Sequence, residues 1–156
     1  MRKTTLVSAA ALSFMLFSAA AFADVAVKDP WVRGTTPAQS ATGAFMEITS
    51  TDNATLLSAA TPVAGVVEIH TMTMENGVMK MRPLPKLDLP AGKAIVLAPG
   101  ANHIMLMELK QQLKKGEVVP ITLKIEGKDA QVQTLEVKAE VRDIAAPAMP
   151  HGGMPH

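Results

Sequence analysis

The dipeptide Asn76-Gly77, set between the runs Val66–Met74 and Val78–Arg82, constrains this chain more than any other feature. Asn-Gly between alternating apolar runs favours the two-residue turn whose twist matches a β-hairpin. A two-residue loop sets a register in which Met74 faces Met79, Met72 faces Met81 and His70 faces Pro83. His70 and Met81 then become diagonal neighbours on one face of the hairpin, about 7–8 Å apart at Cα.

Similar runs recur along the chain. Val25–Lys28 and Trp31–Arg33 flank Asp29-Pro30, and Gly43–Thr49 precedes the turn Thr51-Asp52-Asn53. After the hairpin, Pro83, Pro85 and Pro90 are expected to break regular pairing, because proline cannot donate to a ladder. Ala94–Leu97 is a short strand before Pro99-Gly100, and His103–Leu109 is another before Lys114-Lys115-Gly116-Glu117. Val118–Ile125 and Gln131–Val141 form a final hairpin around Gly127-Lys128-Asp129. No long helical pattern interrupts them, so the spacing predicts an all-β sandwich or barrel.

The two ends of the chain differ from this pattern. Arg2 and Lys3 precede an apolar stretch from Leu6 to Phe22, and Ala21-Phe22-Ala23 has the small-x-small form of a signal-peptide cleavage site. Residues 1–23 are therefore expected to be an export signal, 24–144 a single folded domain and 145–156 a flexible tail rich in Pro, Gly, Met and His. The competing reading of the apolar stretch is an uncleaved membrane anchor. Cleavage after Ala23 would leave no stable membrane insertion. The chain has no cysteine, which excludes both a disulfide framework and a cysteine-linked lipid. Removing Arg2 and Lys3 from the 15 basic side chains leaves 13 against 14 acidic ones, with no basic block. Nucleic acid is not an expected partner, since phosphate contacts need clustered Lys and Arg.

Chemistry concentrates in His70, Met81, His103 and Met105, spaced His-x10-Met-x21-His-x-Met. Strand alternation puts His103 and Met105 on one face, as the hairpin register does for His70 and Met81. The result is two same-face pairs, and close packing of the two strand regions would close a four-ligand site. Two imidazoles and two thioethers form a soft, thiol-free set, which suits copper(I) better than zinc, magnesium or calcium. The absence of cysteine excludes a thiolate-bound blue-copper site. Four protein ligands leave no open coordination position, which favours carrying the metal over using it catalytically. The chain's other two histidines, His151 and His156, lie in the tail as Met149-Pro150-His151 and Met154-Pro155-His156, a candidate auxiliary metal site.

Methionine is also ordinary core filler, and Met46, Met72, Met74, Met79 and Met107 carry that reading. Met72 and Met107 could instead form an apolar collar around the site. Met72, Met74, Met79 and Met107 together could form an exposed rim for docking a partner.

These residues bring a family into view. The chain resembles the periplasmic copper chaperones of the PCuAC family from Asp29-Pro30-Trp31-Val32-Arg33 to about Val141. The likeness includes Glu68-Ile69-His70-Thr71-Met72, Asn76-Gly77-Val78-Met79-Lys80-Met81-Arg82-Pro83, Pro99-Gly100-Ala101-Asn102-His103-Ile104-Met105-Leu106-Met107 and Leu113-Lys114-Lys115-Gly116. The family's metal pattern is present here without a gap. The resemblance implies a cupredoxin-like Greek-key β-sandwich, located in the periplasm and monomeric, binding copper(I) through His70, Met81, His103 and Met105. It implies delivery to the dinuclear copper centre of a terminal cytochrome oxidase, or to an assembly factor for it. It also implies that the segment Met149–His156 holds a further copper ion, as copper(II) or a second copper(I), through Met149, His151, Met154 and His156.

Three other functions compete. A copper buffer or resistance protein would use the same site without a dedicated oxidase client. An oxidative copper enzyme that holds its metal through an N-terminal histidine is not expected, because the expected mature terminus is Asp24. A plain β-sandwich interaction module would use its methionines as core alone.

Overall fold

The structure is a computed structural model and describes residues 23–143. Of the expected export segment only Ala23 falls within this range, and the expected tail from Ala145 lies wholly outside it. Ten strands follow one another: β1 Val25–Arg33, β2 Ala41–Ser50, β3 Ala54–Ala60, β4 Ala64–Glu75, β5 Val78–Leu84, β6 Leu87–Leu89, β7 Ile95–Leu97, β8 His103–Leu109, β9 Val118–Glu126 and β10 Val132–Arg142. They hydrogen-bond in the order β5-β4-β8-β2-β1-β10-β9-β3-β6, with β7 added to β2. The β1–β10 pair is parallel and the other pairs are antiparallel.

Alternation along the strands explains the core. Ala44, Met46 and Ile48 of β2, Ile69 of β4, and Ile104 and Leu106 of β8 are all buried. They share one apolar cluster with Leu56 of β3, Leu89 of β6 and Val119, Ile121, Leu123 and Ile125 of β9. Residues from both ends of the strand path meet in that cluster, so the sheet folds over on itself into a β-sandwich. Each fully buried Leu or Ile contributes about 1.5–3 kcal/mol relative to exposure.

The expected hairpin forms with the expected register: Met74 faces Met79, Met72 faces Met81 and His70 faces Pro83. Asn76 and Gly77 both have positive φ, 50° and 78°, as the mirror-image turn demands. The final hairpin, β9–β10, also forms, around a short 3-10 turn at Lys128–Ala130.

Four expectations need correction. Val25–Lys28 and Trp31–Arg33 are one strand with a bulge between Lys28 and Trp31, not two segments. The strand β3 was not expected, because Ala-Thr-Leu-Leu-Ser-Ala-Ala has weak β-propensity; β9 and β6 hold it from either side. The prolines do not end pairing after the hairpin. Strand β5 runs through Pro83 to Leu84 at the sheet edge, where a missing donor is tolerated, and β6 forms between Pro85 and Pro90. Finally, Met46 is core, but Met72, Met74, Met79 and Met107 are not part of the buried cluster.

The bulge in β1 is closed by a charge contact. Asp29 has φ 47°, a left-handed conformation that Asp tolerates better than most residues. Its carboxylate accepts from Arg142 at the end of β10, with one Nη1–Oδ2 bond of 3.1 Å. The same guanidinium lies 5.4 Å from the Trp31 ring centroid. The hydrogen bond from Arg142, reinforced by its charge, holds the Asp29 carboxyl below its ordinary value of 3.8. This contact therefore stabilises the fold at neutral pH and is lost as pH falls through the lowered value. The pair is largely exposed, which limits it to about 1 kcal/mol or less. Asp29→Asn should tolerate the same backbone conformation while removing the charge. Urea melts at neutral pH should show it slightly less stable than the parent, with the gap closing below pH 3.8.

Candidate metal centre

Core burial decides where the four expected ligands point. Ile69, Ile104 and Leu106 face inward, so His70 on β4 and His103 and Met105 on β8 face the opposite side of the sheet. In the β4–β8 ladder His70 lies directly opposite His103, and Glu68 opposite Met105. Their imidazole centroids are 5.9 Å apart with the rings tilted at 56°. Met81 reaches the same face from β5, opposite Met72. The two expected same-face pairs are thus brought close together, on three neighbouring hydrogen-bonded strands of one sheet.

A cavity of about 270 Å³ opens on this face, and Met81, His103 and Met105 line it together with Met72, Phe45 and Arg33. His70 stands beside it against His103 and is 9% exposed; His103 is 5% exposed. Met81, at the sheet edge, is 46% exposed. The four residues therefore combine two sheltered imidazoles and the half-buried Met105 with one thioether, Met81, at an open rim.

The hydrogen bonds fix which nitrogen of each ring is available. His103 Nδ1 lies 2.9 Å from the Ala101 carbonyl, which can only accept, so Nδ1 carries the proton and Nε2 keeps its lone pair. His70 Nε2 lies 2.8 Å from Glu68 Oε2, so that nitrogen donates to the carboxylate. The lone pair of His70 is then on Nδ1, which is buried without a hydrogen-bond partner. A buried acceptor without a partner is costly, and a metal ion would satisfy it. Among the described residues no group of three or more His, Asp, Glu or Cys gathers to form a harder cage. The donor set fits a soft, monovalent ion.

Sequence reasoning missed the residues that hold this set in place. Glu68 orients His70, and its position two residues earlier on the same strand was the signal available. Phe45 packs 4.5 Å from Trp31 and 6.2 Å from His103, centroid to centroid. The Arg33 guanidinium lies 5.6 Å from the Phe45 ring centroid. Thr71 donates to Asn102 Oδ1 at 2.7 Å, tying the base of the β4–β5 hairpin to the loop that carries Ala101. The tail residues Met149, His151, Met154 and His156 lie outside the described residues.

Residues 25–152 match the family model described as "Putative lipoprotein LpqE-like". The chain belongs to the LpqE-like family. A curated relative, "Putative lipoprotein Lxx21020" of Leifsonia xyli subsp. xyli, is 29% identical over 73% of this chain and 69% of its own length. The solution structure of CuI-DR1885 from Deinococcus radiodurans is 35% identical, with a TM-score of 0.59 over 74% of this chain and 76% of that one. The apo PCuAC domain from PmoF1 is 20% identical, with a TM-score of 0.61 over 76% of this chain and 93% of that one. This LpqE-like chain therefore has the cupredoxin-like β-sandwich of PCuAC domains, as the sequence resemblance implied. Among the described residues no helix is long and apolar enough to cross a membrane.

Gly43 is what lets Phe45 approach the site. It lies opposite Met105 in the β2–β8 ladder, and a Cβ there would stand 2.6 Å from the Phe45 Cζ. Phe45 is held between Trp31, Arg33 and His103 and cannot yield freely. Gly43→Ala should therefore cost about 1–3 kcal/mol in a denaturant melt, the scale of overpacking. It should also shift the His103 ring resonances in the metal-free protein, while the resonances of β9 and β10 stay in place.

Proposed function

We propose that this chain is a copper(I) carrier, with His70, Met81, His103 and Met105 as its ligands. One observation carries the reading: the four residues share one sheet face, Met81, His103 and Met105 lining a cavity with His70 beside it, and each imidazole keeps a free nitrogen lone pair. Neutral imidazole supplies affinity, and thioethers supply softness without needing deprotonation. The copper(I) form of DR1885, 35% identical to this chain, supports the choice of metal.

Four protein ligands leave no coordination position for a substrate, so the site suits transport rather than catalysis. The same geometry favours release. Met81 sits exposed at the sheet edge, where an incoming ligand from a recipient can displace it before the sheltered histidines let go. The Glu68–His70 bond would persist in the loaded protein, holding the ring while Nδ1 ligates.

In this reading the protein is exported and works as a monomer in the periplasm. It supplies copper to the dinuclear centre of a terminal cytochrome oxidase or to its assembly factor. The lipoprotein family supports an envelope-associated location. The tail residues Met149, His151, Met154 and His156 would hold a further copper ion, as copper(II).

Copper(I) titration against a competing chelator tests the site. Met81→Leu combined with Met105→Leu should lower the affinity at least about tenfold, the minimum seen even for lost supporting contacts around a metal. Unchanged affinity would refute the ligand assignment. Binding by the parent protein should also weaken as pH is lowered and protons compete for the imidazoles. Delivery is tested separately, by deleting the gene and assaying oxidase activity under copper limitation. Normal oxidase with copper-sensitive growth would replace delivery with buffering.

A further inference from the structure

The β4–β5 hairpin outruns the rest of the sheet. Pairing between β4 and β8 ends at His70 and His103, so residues 71–75 of β4 pair only with β5. The projecting ribbon has two unlike faces. One carries Thr71, Thr73, Glu75, Lys80 and Arg82, where Glu75 accepts from Arg82 at 2.7 Å and lies 3.2 Å from the Lys80 ammonium. The other carries Met72, Met74, Met79 and Met81 and nothing else. Two of these form the direct cross-strand pair Met74–Met79, and two form the pair Met72–Met81.

We propose that Met72, Met74 and Met79 form a second, all-thioether copper(I) site that captures the ion and passes it to the four-ligand site. This rests on the copper-carrier reading and extends it to residues outside the four ligands. Directly opposed residues on such a ribbon have Cβ atoms about 4.5–5.5 Å apart, and the diagonal Met72–Met79 separation is about 7–8 Å at Cα. Met72 and Met74 are two residues apart on one strand, about 6.6–6.8 Å. Each side chain has three rotatable bonds and a terminal thioether, so three sulfurs can converge on one ion. Met74 is 64% exposed and Met79 46% exposed, which places the site where an arriving ion meets it first.

The composition of the face favours a soft ion over apolar docking. An apolar docking surface needs area and shape, which Leu, Val or Phe supply as well as Met does. Here every outward residue on the face carries sulfur, and Val78, the ribbon's exposed aliphatic residue, is on the polar side opposite Glu75. A site built only from neutral thioethers has no imidazole to strengthen it, so it should be weaker than the four-ligand site. Transfer requires no change in oxidation state. Met72 faces Met81 across the ribbon and lines the same cavity as His103 and Met105, so copper(I) can exchange one thioether for the other as it moves inward.

Full-length protein with ¹³C-labelled methionine methyl groups, titrated anaerobically with copper(I), tests the proposal. The first equivalent should shift the Met81 and Met105 methyls, and the second should shift Met72, Met74 and Met79. Met74→Leu with Met79→Leu keeps the apolar surface and removes two sulfurs. This variant should lose the second event and keep the first with its affinity unchanged. Failure of the first equivalent to move Met81 and Met105 would sink the copper-carrier assignment itself. A normal first event followed by unmoved Met74 and Met79 methyls would overturn only the second site. So would a second equivalent that moves Met149 and Met154 instead, or ribbon shifts already complete at the first equivalent.

Discussion

Burial of Ile69 against Ile104 and Leu106 sets the alternation of β4 and β8, and the geometry of the site depends on it. Side chains alternate strictly along a strand, so sending these three inward sends His70, His103 and Met105 outward. A slip of one residue would turn the isoleucines into solvent and bury the imidazoles in an apolar core. The hydrophobic effect thus holds the proposed metal ligands in place although they lie outside the core. The turn at Asn76-Gly77 adds Met81 to the same face by a separate constraint, the positive φ of two adjacent residues.

Around this frame, polar contacts tune the two imidazoles differently. The Ala101 carbonyl holds one His103 nitrogen, and the Glu68 carboxylate holds one His70 nitrogen. Each bond selects a tautomer and leaves the other nitrogen with its lone pair. Phe45, admitted by the missing side chain of Gly43, shields the His103 side of the site. The thioethers have no such support. Met105 sits within the sheet between Glu68 and Gly43, whereas Met81 and the other hairpin methionines lie toward the edge, where the sheet thins to two strands. Burial decreases from the histidines to the outermost methionines, a gradient that suits an ion arriving and leaving through the methionine side.

Much of this was legible in the chain because it rests on local rules. The hairpin register follows from one dipeptide, and the pairing of His103 with Met105 follows from the period of a strand. Elements held by long-range packing were harder to read. The weak sequence of β3 becomes a strand because Leu56 fills the core and two neighbours supply hydrogen bonds. Pro83 continues a strand because β5 is an edge. Met46 and Met72 are the same residue type in similar runs. Only the sheet's packing puts one in the core and the other beside the cavity.

The amino-acid sequence by itself determined the chemistry of the candidate donor set: two imidazoles, two thioethers, no thiol, and a turn that places His70 and Met81 on one face. The tertiary structure alone decided that His70 stands opposite His103, that Glu68 holds it, and that Met81 is exposed while both imidazoles are sheltered. The physical reason is range. Backbone conformation and strand period act over a few residues, whereas the β4–β8 and β2–β8 ladders join segments distant in sequence. Those ladders form only when burial of a shared core offsets the entropy of bringing the segments together.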